Sequence, residues 1–231
     1  NAFRTLSSSI DKSNESIDQR NKEVYAAIIE NEKAPGQADK VRPYREKADE
    51  VVKRSNELVA YLDEWKKKIV MQAGGYNPVD PKFPEKMDDI DATTLLLVEK
   101  KGGNELKKKI EELRDFLLAQ VRNPDALGPL MPLRVEPVKA NDHNPKADWS
   151  IGNFEHMPAV AAMALFSKYQ NDVRSSEALI VKQLFEDAHL KDIKFDTIGA
   201  IAVPKQSYAL EGDKIEASIM LAAFNKAQRP K

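Results

Sequence analysis

The chain has no cysteine among its 231 residues and only three histidines. Without thiols there can be no thiolate nucleophile, no zinc–thiolate site and no disulfide. The same absence leaves the compartment open. His143, His156 and His189 form no His-x-x-x-His pair and have no ligand-like spacing, so no metal site is expected from them. No apolar run approaches the roughly 18–20 residues needed to span a bilayer, and no signal peptide is visible. Neither sign of charge prevails: 36 Lys and Arg against 37 Asp and Glu leave a net charge of −1. A nucleic-acid binder would carry a basic surplus on one face, so nucleic acid is not an expected partner. The lysine runs at 66–68 and 107–109 lie on helical stretches among acids and read as solvated faces.

Other reactive patterns fail in the same way. Ser7-Ser8-Ser9 has no partner base and no glycine elbow. Gly74-Gly75 and Gly102-Gly103 match no phosphate-binding fingerprint and read as helix ends. Asp88, Asp89 and Asp91 lack the alternating acids, glycine and glutamate of a calcium loop, and read as acids at a helix N-terminus. Asn14-Glu15-Ser16 fits a glycosylation sequon by chance, in the middle of a helix. No catalytic, cofactor-binding or metal-ligating residue is therefore expected, no cofactor, and no enzyme activity.

What the chain does have is long amphipathic periodicity. Val41, Tyr44, Ala48, Val51, Leu58, Leu62, Trp65 and Ile69 follow steps of three and four residues, interrupted only by Ser55. This is one dry face of one helix of about eight turns, spanning about Asp39 to Ala73, with Pro43 in its first turn. Before it, Phe3, Ile10, Ile17 and Val24 recur every seven residues, with Leu6 and Ala27 between them. That predicts a first helix from about Ala2 to Glu32, its stripe contaminated by Ser13 and Arg20. Ala34-Pro35-Gly36 breaks the two into an antiparallel hairpin. Pro78, Pro81 and Pro84 mark 76–90 as an extended connector. Asp91 is placed to cap a short helix, Ala92–Lys100, whose Leu95-Leu96-Leu97-Val98 implies burial on every side. Asn104 is placed to cap the next, reaching about Val121.

Residues 122–157 are proline-rich and irregular, with Trp149, Ile151 and Phe154 as anchors near their end. The last long helix is expected from Pro158 to about His189, with Val160, Met163, Phe166, Val173, Ile180 and Leu184 as its stripe. From Lys191 the period changes to two. A strand ends at Pro204, Glu211-Gly212-Asp213 signals a turn, and Lys214–Phe224 has strand character. Two or three strands are too few for a sheet stable in water. The reading is thus mainly α: a long-helix bundle over 1–190, then a short β segment over 191–231 that begins another domain. The opening inside a heptad pattern and the stop just after a strand-like run read as an excised piece of a longer protein.

The order and wording of these segments resemble the periplasmic part of the GldM/PorM family of type IX secretion and gliding motility in Bacteroidetes. The resemblance is carried by Asn1-Ala2-Phe3, Arg54-Ser55-Asn56-Glu57-Leu58, Asp91–Val98 and Gly103–Leu113. It is densest at Trp149, Asn153-Phe154, Pro158, Gln170-Asn171-Asp172-Val173-Arg174 and Glu177, and continues at Pro204 and Glu211-Gly212. The resemblance implies a helical domain followed by immunoglobulin-like domains, of which 191–231 would supply the first strands. It implies a homodimer in the periplasm, anchored in the inner membrane by an N-terminal helix outside this sequence. That helix would pair with GldL/PorL as a proton-driven motor, and later domains would meet the GldK/PorK and GldN/PorN ring at the outer membrane. No catalytic residues follow from it. The alternative reading is a helical sensor, adaptor or receptor ectodomain that binds a ligand near 122–157.

Overall fold

In the computed structural model the described residues are 2–190, 197–204 and 217–224, with side chains described through Ala188. The chain divides into two units, Asn1–Glu186 and Asp187–Lys231. The first is helical. Its elements are α1 (Ala2–Lys33), α2 (Ala38–Gln72), α3 (Asp91–Thr93), α4 (Gly102–Ala119), α5 (Pro124–Leu127), α6 (Trp149–Phe154) and α7 (Ala159–Leu190). A π-helical stretch, Thr94–Glu99, continues α3, and a 3-10 turn, Gly128–Leu130, follows α5.

The stripe on α2 is dry along its whole length. Every position from Val41 to Ile69 that the periodicity marks is buried, Ala48, Val51, Leu62 and Ile69 completely, and so is the interrupting Ser55. At about 1.5 Å per residue this gives a strut of roughly 50 Å. α4 lies along it, with Leu106, Ile110, Leu113 and Leu117 turned inward. Arg54 over Phe116 (3.9 Å) and Lys109 over Tyr61 (4.8 Å) close the edges of that contact with cation–π stacks.

On α1 the predicted phase is corrected. Phe3 and Leu6 are about half exposed, at 46% and 51%. The residues turned inward are Ser7, Asn21 and Ile28, with Asn14 part-buried between them. The inner row is thus 7, 14, 21, 28 rather than 6, 13, 20, 27, and Ser13 and Arg20 are exposed, although Ser13 Oγ still accepts from Asn171 Nδ2 (3.3 Å). Ile10, Ile17 and Val24 remain half-buried at its flank.

α7 is the central pillar. Its six predicted stripe residues are all buried. So are Ala159, Ala162, Gln170 and Glu177 on the same face, and Ala161, Ala164, Ser167, Tyr169 and Ser176 on or toward its other faces. Small residues let neighbours approach from every side. The connector supplies its start: Asp89 O and Met87 O accept from Ala159 N (2.9 Å) and Val160 N (3.0 Å), satisfying helix N–H groups that have no partner within the helix. Pro158, just before, has no N–H to satisfy.

Three further local expectations are corrected. The cap of α3 is Asp89, whose Oδ1 accepts from Asp91 N and Ala92 N (both 2.9 Å), rather than Asp91. Gly74-Gly75 does end α2, at φ +94° and +91°, but Gly102-Gly103 opens α4. The break is made by Lys101 at φ +60°. The glycines are needed for packing, since a Cβ on Gly102 would sit 2.3 Å from the Trp65 ring and one on Gly103 2.4 Å from Ser150 Oγ. Asn104 caps nothing and instead accepts from Ser150 Oγ (3.0 Å).

The 122–157 segment is tied down. Arg114 donates to Gly128 O (2.8 Å), Leu133 O (2.7 Å) and Met131 O (3.3 Å), and Leu133 N donates to Ser176 Oγ on α7 (3.0 Å). Trp149 and Phe154 are core anchors, while Ile151 is only half-buried.

In the second unit, β1 (Thr197–Pro204) pairs antiparallel with β2 (Ala217–Phe224) in register from Thr197 opposite Phe224 to Pro204 opposite Ala217. The expected turn at 211–213 and the start of the second strand at 214 lie outside the described residues.

Candidate functional site

A groove of about 570 Å³ runs between α1, α2 and α7, closed at one end by the connector. Polar side chains of all three helices line it, among them Ser7 and Asn14 of the inner row of α1, Asp63 and Lys66 of α2 and Gln170 of α7, between apolar patches such as Val59 and Phe83. Ser7 and Ser167 hydroxyls lie 3.2 Å apart. Asn14 Nδ2 donates to Ser167 O (3.2 Å), and one heptad later Asn21 Nδ2 donates to Arg174 O (2.9 Å). Asn171 Nδ2 returns a bond to Asn14 Oδ1 (2.9 Å). Sequence periodicity missed this row because it counts Ser and Asn as wet. Their recurrence at intervals of seven was the available signal.

Charges inside the groove are matched. Lys66 Nζ donates to Gln170 Oε1 (2.6 Å), and Gln170 Nε2 donates to Asp63 Oδ1 (2.7 Å) and Val59 O (3.3 Å). Burial holds the Lys66 ammonium below the usual lysine value, opposed by Asp11 and Asp63. Glu177 is pushed upward by burial, opposed by Arg174 (2.8 Å) and Asn21. Asp172 is likewise raised by burial, with Lys168 at 2.7 Å as its partner. Each of these buried charges has an opposite charge beside it, and Lys66 with Asp11 (3.6 Å) and Arg174 with Asp18 (3.4 Å) tie neighbouring helices together. The arrangement presents no nucleophile beside a base and no pair of carboxylates free to exchange a proton.

The expected non-sites resolve as follows. Ser7 is a helix-contact residue, Ser8 is half-buried and Ser9 exposed. The Asp88–Asp91 acids end in the cap on α3. Lys67 and Lys108 pair with acids of their own helices, as solvated faces do, whereas Lys66 turns into the groove and Lys109 stacks on Tyr61. Trp65 and Trp149 are core, Trp149 being enclosed by Phe154 (5.4 Å between centroids) and Tyr169 (6.4 Å). Two of the three histidines, widely spaced in sequence, do come together: His143 and His156 converge with Glu155. The long loop before α6 folds back on that helix's end, which spacing alone does not reveal.

Packed helices, a buried polar seam and paired charges define a structural helical domain. The family comparison names it: residues 1–187 match the GldM N-terminal domain and residues 189–231 the GldM second domain, and the chain belongs to the GldM family. That family is a structural component of the type IX secretion and gliding-motility machinery, membrane-anchored and periplasmic, and is not a known enzyme family. No curated protein matches the chain. Among the described residues no helix is long and apolar enough to cross a membrane.

Proposed function

We propose that this helical domain is a stiff periplasmic strut that carries motion from a proton-driven motor in the inner membrane toward the ring at the outer membrane. The observation that carries the reading is the dry seam along α2 beside α7, which is buried over most of its length. A helix held along its whole length on one face resists bending, because each bend would open buried apolar contacts worth roughly 1.5–3 kcal/mol per side chain. In this reading the protein works as a homodimer. Its N-terminal membrane helix pairs with a GldL/PorL-type partner, and its later domains reach GldK/PorK- and GldN/PorN-type ring proteins. Residues 189–231 begin an immunoglobulin-like domain, and antiparallel β1 and β2 are compatible with that. The enclosure of Trp149 and the tethering of 122–157 give the sensor or receptor reading no support.

The test is a kink that spares the core. Lys53 is an exposed mid-helix residue of α2, and Lys53→Pro interrupts the helix there at about 3 kcal/mol. In the full-length protein it is expected to abolish secretion and gliding while partner binding survives. Lys53→Gly, at about 1 kcal/mol, is expected to fold normally and impair transport partially. Full transport by a folded Lys53→Pro protein would overturn the strut.

A further inference from the structure

We infer that His143, Glu155 and His156 form a binding site for a zinc-type divalent cation. The three residues each offer one ligand atom, and these atoms lie within 4.8 Å of one another. His143 Nε2 and Glu155 Oε2 are already 3.1 Å apart. Bonds of about 2.0–2.2 Å around a tetrahedral ion separate its ligand atoms by roughly 3.3–3.5 Å. One edge of the set is therefore formed, and the two imidazoles, both on exposed residues, need only rotate to close the others. Two imidazole nitrogens and one carboxylate oxygen suit zinc and its neighbours, whereas calcium and magnesium prefer oxygen alone. The fourth position faces solvent and would hold water.

The backbones that present these groups are fixed in advance. Asn141 Oδ1 accepts from His143 N (3.0 Å) and Asn144 N (2.7 Å), which holds the loop in a tight turn. Asn144 Nδ2 donates to Asp148 O (2.7 Å), and Asp148 N donates back to Asn144 Oδ1 (2.8 Å). On the other side, His156 sits at φ +52°, an uncommon conformation for a residue with a side chain. It is kept there by Thr94, whose Oγ1 accepts from His156 N (2.9 Å) at the start of the π-helical stretch. The left-handed turn after Glu155 is what lets two sequence neighbours, which ordinarily diverge, serve one ion. π-helical turns and strained residues often mark binding positions. A bound ion would tie the 141–148 loop to the end of α6, and through Thr94 to the π-helical stretch.

The test uses the whole chain without an affinity tag, stripped with chelator and titrated calorimetrically with zinc chloride. One Zn²⁺ per chain is expected. His143→Ala and His156→Ala should each weaken binding at least about tenfold, the lower end for disturbing a metal site. Glu155→Gln should weaken it and His189→Ala should leave it unchanged. Because both histidines lie at the surface and glutamine keeps the size of the half-buried Glu155, the variants are expected to keep the wild-type melting temperature without metal, and zinc is expected to raise that temperature most in the wild type and in His189→Ala. Absence of saturable zinc binding would overturn the site. So would binding that survives the double substitution His143→Ala, His156→Ala, or calcium bound more tightly than zinc.

Discussion

α1 and α2 form one hairpin, yet they are held by opposite chemistry. α2 turns nine apolar side chains and one serine into the core. α1 meets α7 through serine and asparagine, with Ile28 as its one fully buried apolar residue. Apolar packing is strong and indifferent to small rotations. Hydrogen bonds between side chain and backbone carry a net of only about 0.5–1.5 kcal/mol each, but they demand a particular geometry. α2 therefore provides cohesion, while the row on α1 specifies alignment at low cost to its release.

That contrast can be broken at its strong end first. Leu62→Asp puts an unpaired charge into a fully buried position, at an expected cost of several kcal/mol. The helical signal and cooperative melting of the chain should be lost, and retention of both would show that α2 is held by something other than its stripe. On α1, Asn21→Ala should cost less, about 1–3 kcal/mol, because it removes a second bond to Arg174 O, whose helical bond remains, and a hydrogen bond to the buried Glu177 carboxylate. A loss equal to that of Leu62→Asp in the same melting experiment would erase the distinction between the two seams.

A subtler test uses pH. Burial raises the Glu177 carboxyl above its ordinary value of 4.5. The folded state therefore favours the protonated form. The stability this group contributes is complete below the ordinary value and is lost as pH rises through the raised one. Glu177→Gln mimics the protonated form at every pH. The melting temperature of the wild type should gain on that of Glu177→Gln as pH is lowered from 7 toward 4.5. A gap independent of pH would show that Arg174 compensates the burial fully. The smallest effect is expected at Ser55, whose buried Oγ has no hydrogen-bond partner. Ser55→Ala should raise stability by about 1 kcal/mol or leave it unchanged, measured by denaturant midpoint; a clear loss would reveal a bridging water.

Sequence periodicity read α2 and α7 well because apolar spacing and burial coincide there. It misplaced the face of α1 by one residue, a rotation of about 100°, since the inward side chains are polar and only structure shows them satisfied. It misread Gly102-Gly103 for a related reason. The glycines answer to the Trp65 ring and to Ser150, which lie far away in the chain. Asp89 rather than Asp91 caps α3 because an Asx side chain reaches forward by two or three residues, so the acid nearest the helix is not the one that serves it. The convergence of His143, Glu155 and His156 depends on a loop closure that no residue spacing encodes.

The bonds from Asn14 to Ser167 and from Asn21 to Arg174 span the same 153 positions. α1 and α7 therefore run parallel, and the contact repeats like a rack and its pinion at every seventh residue, about 10.5 Å. Such a row holds firmly but cannot count: a shift of one whole repeat would offer Asn14 the carbonyl that Asn21 now uses. Choosing among these stops falls to contacts that do not repeat, such as Asn21 with Glu177, Asp18 with Arg174 and Arg4 with Asp80, together with Ile28 and the four-residue bend that tethers α1 to its neighbour. Shortening or lengthening that bend is thus the natural way to reset where the first helix engages the pillar.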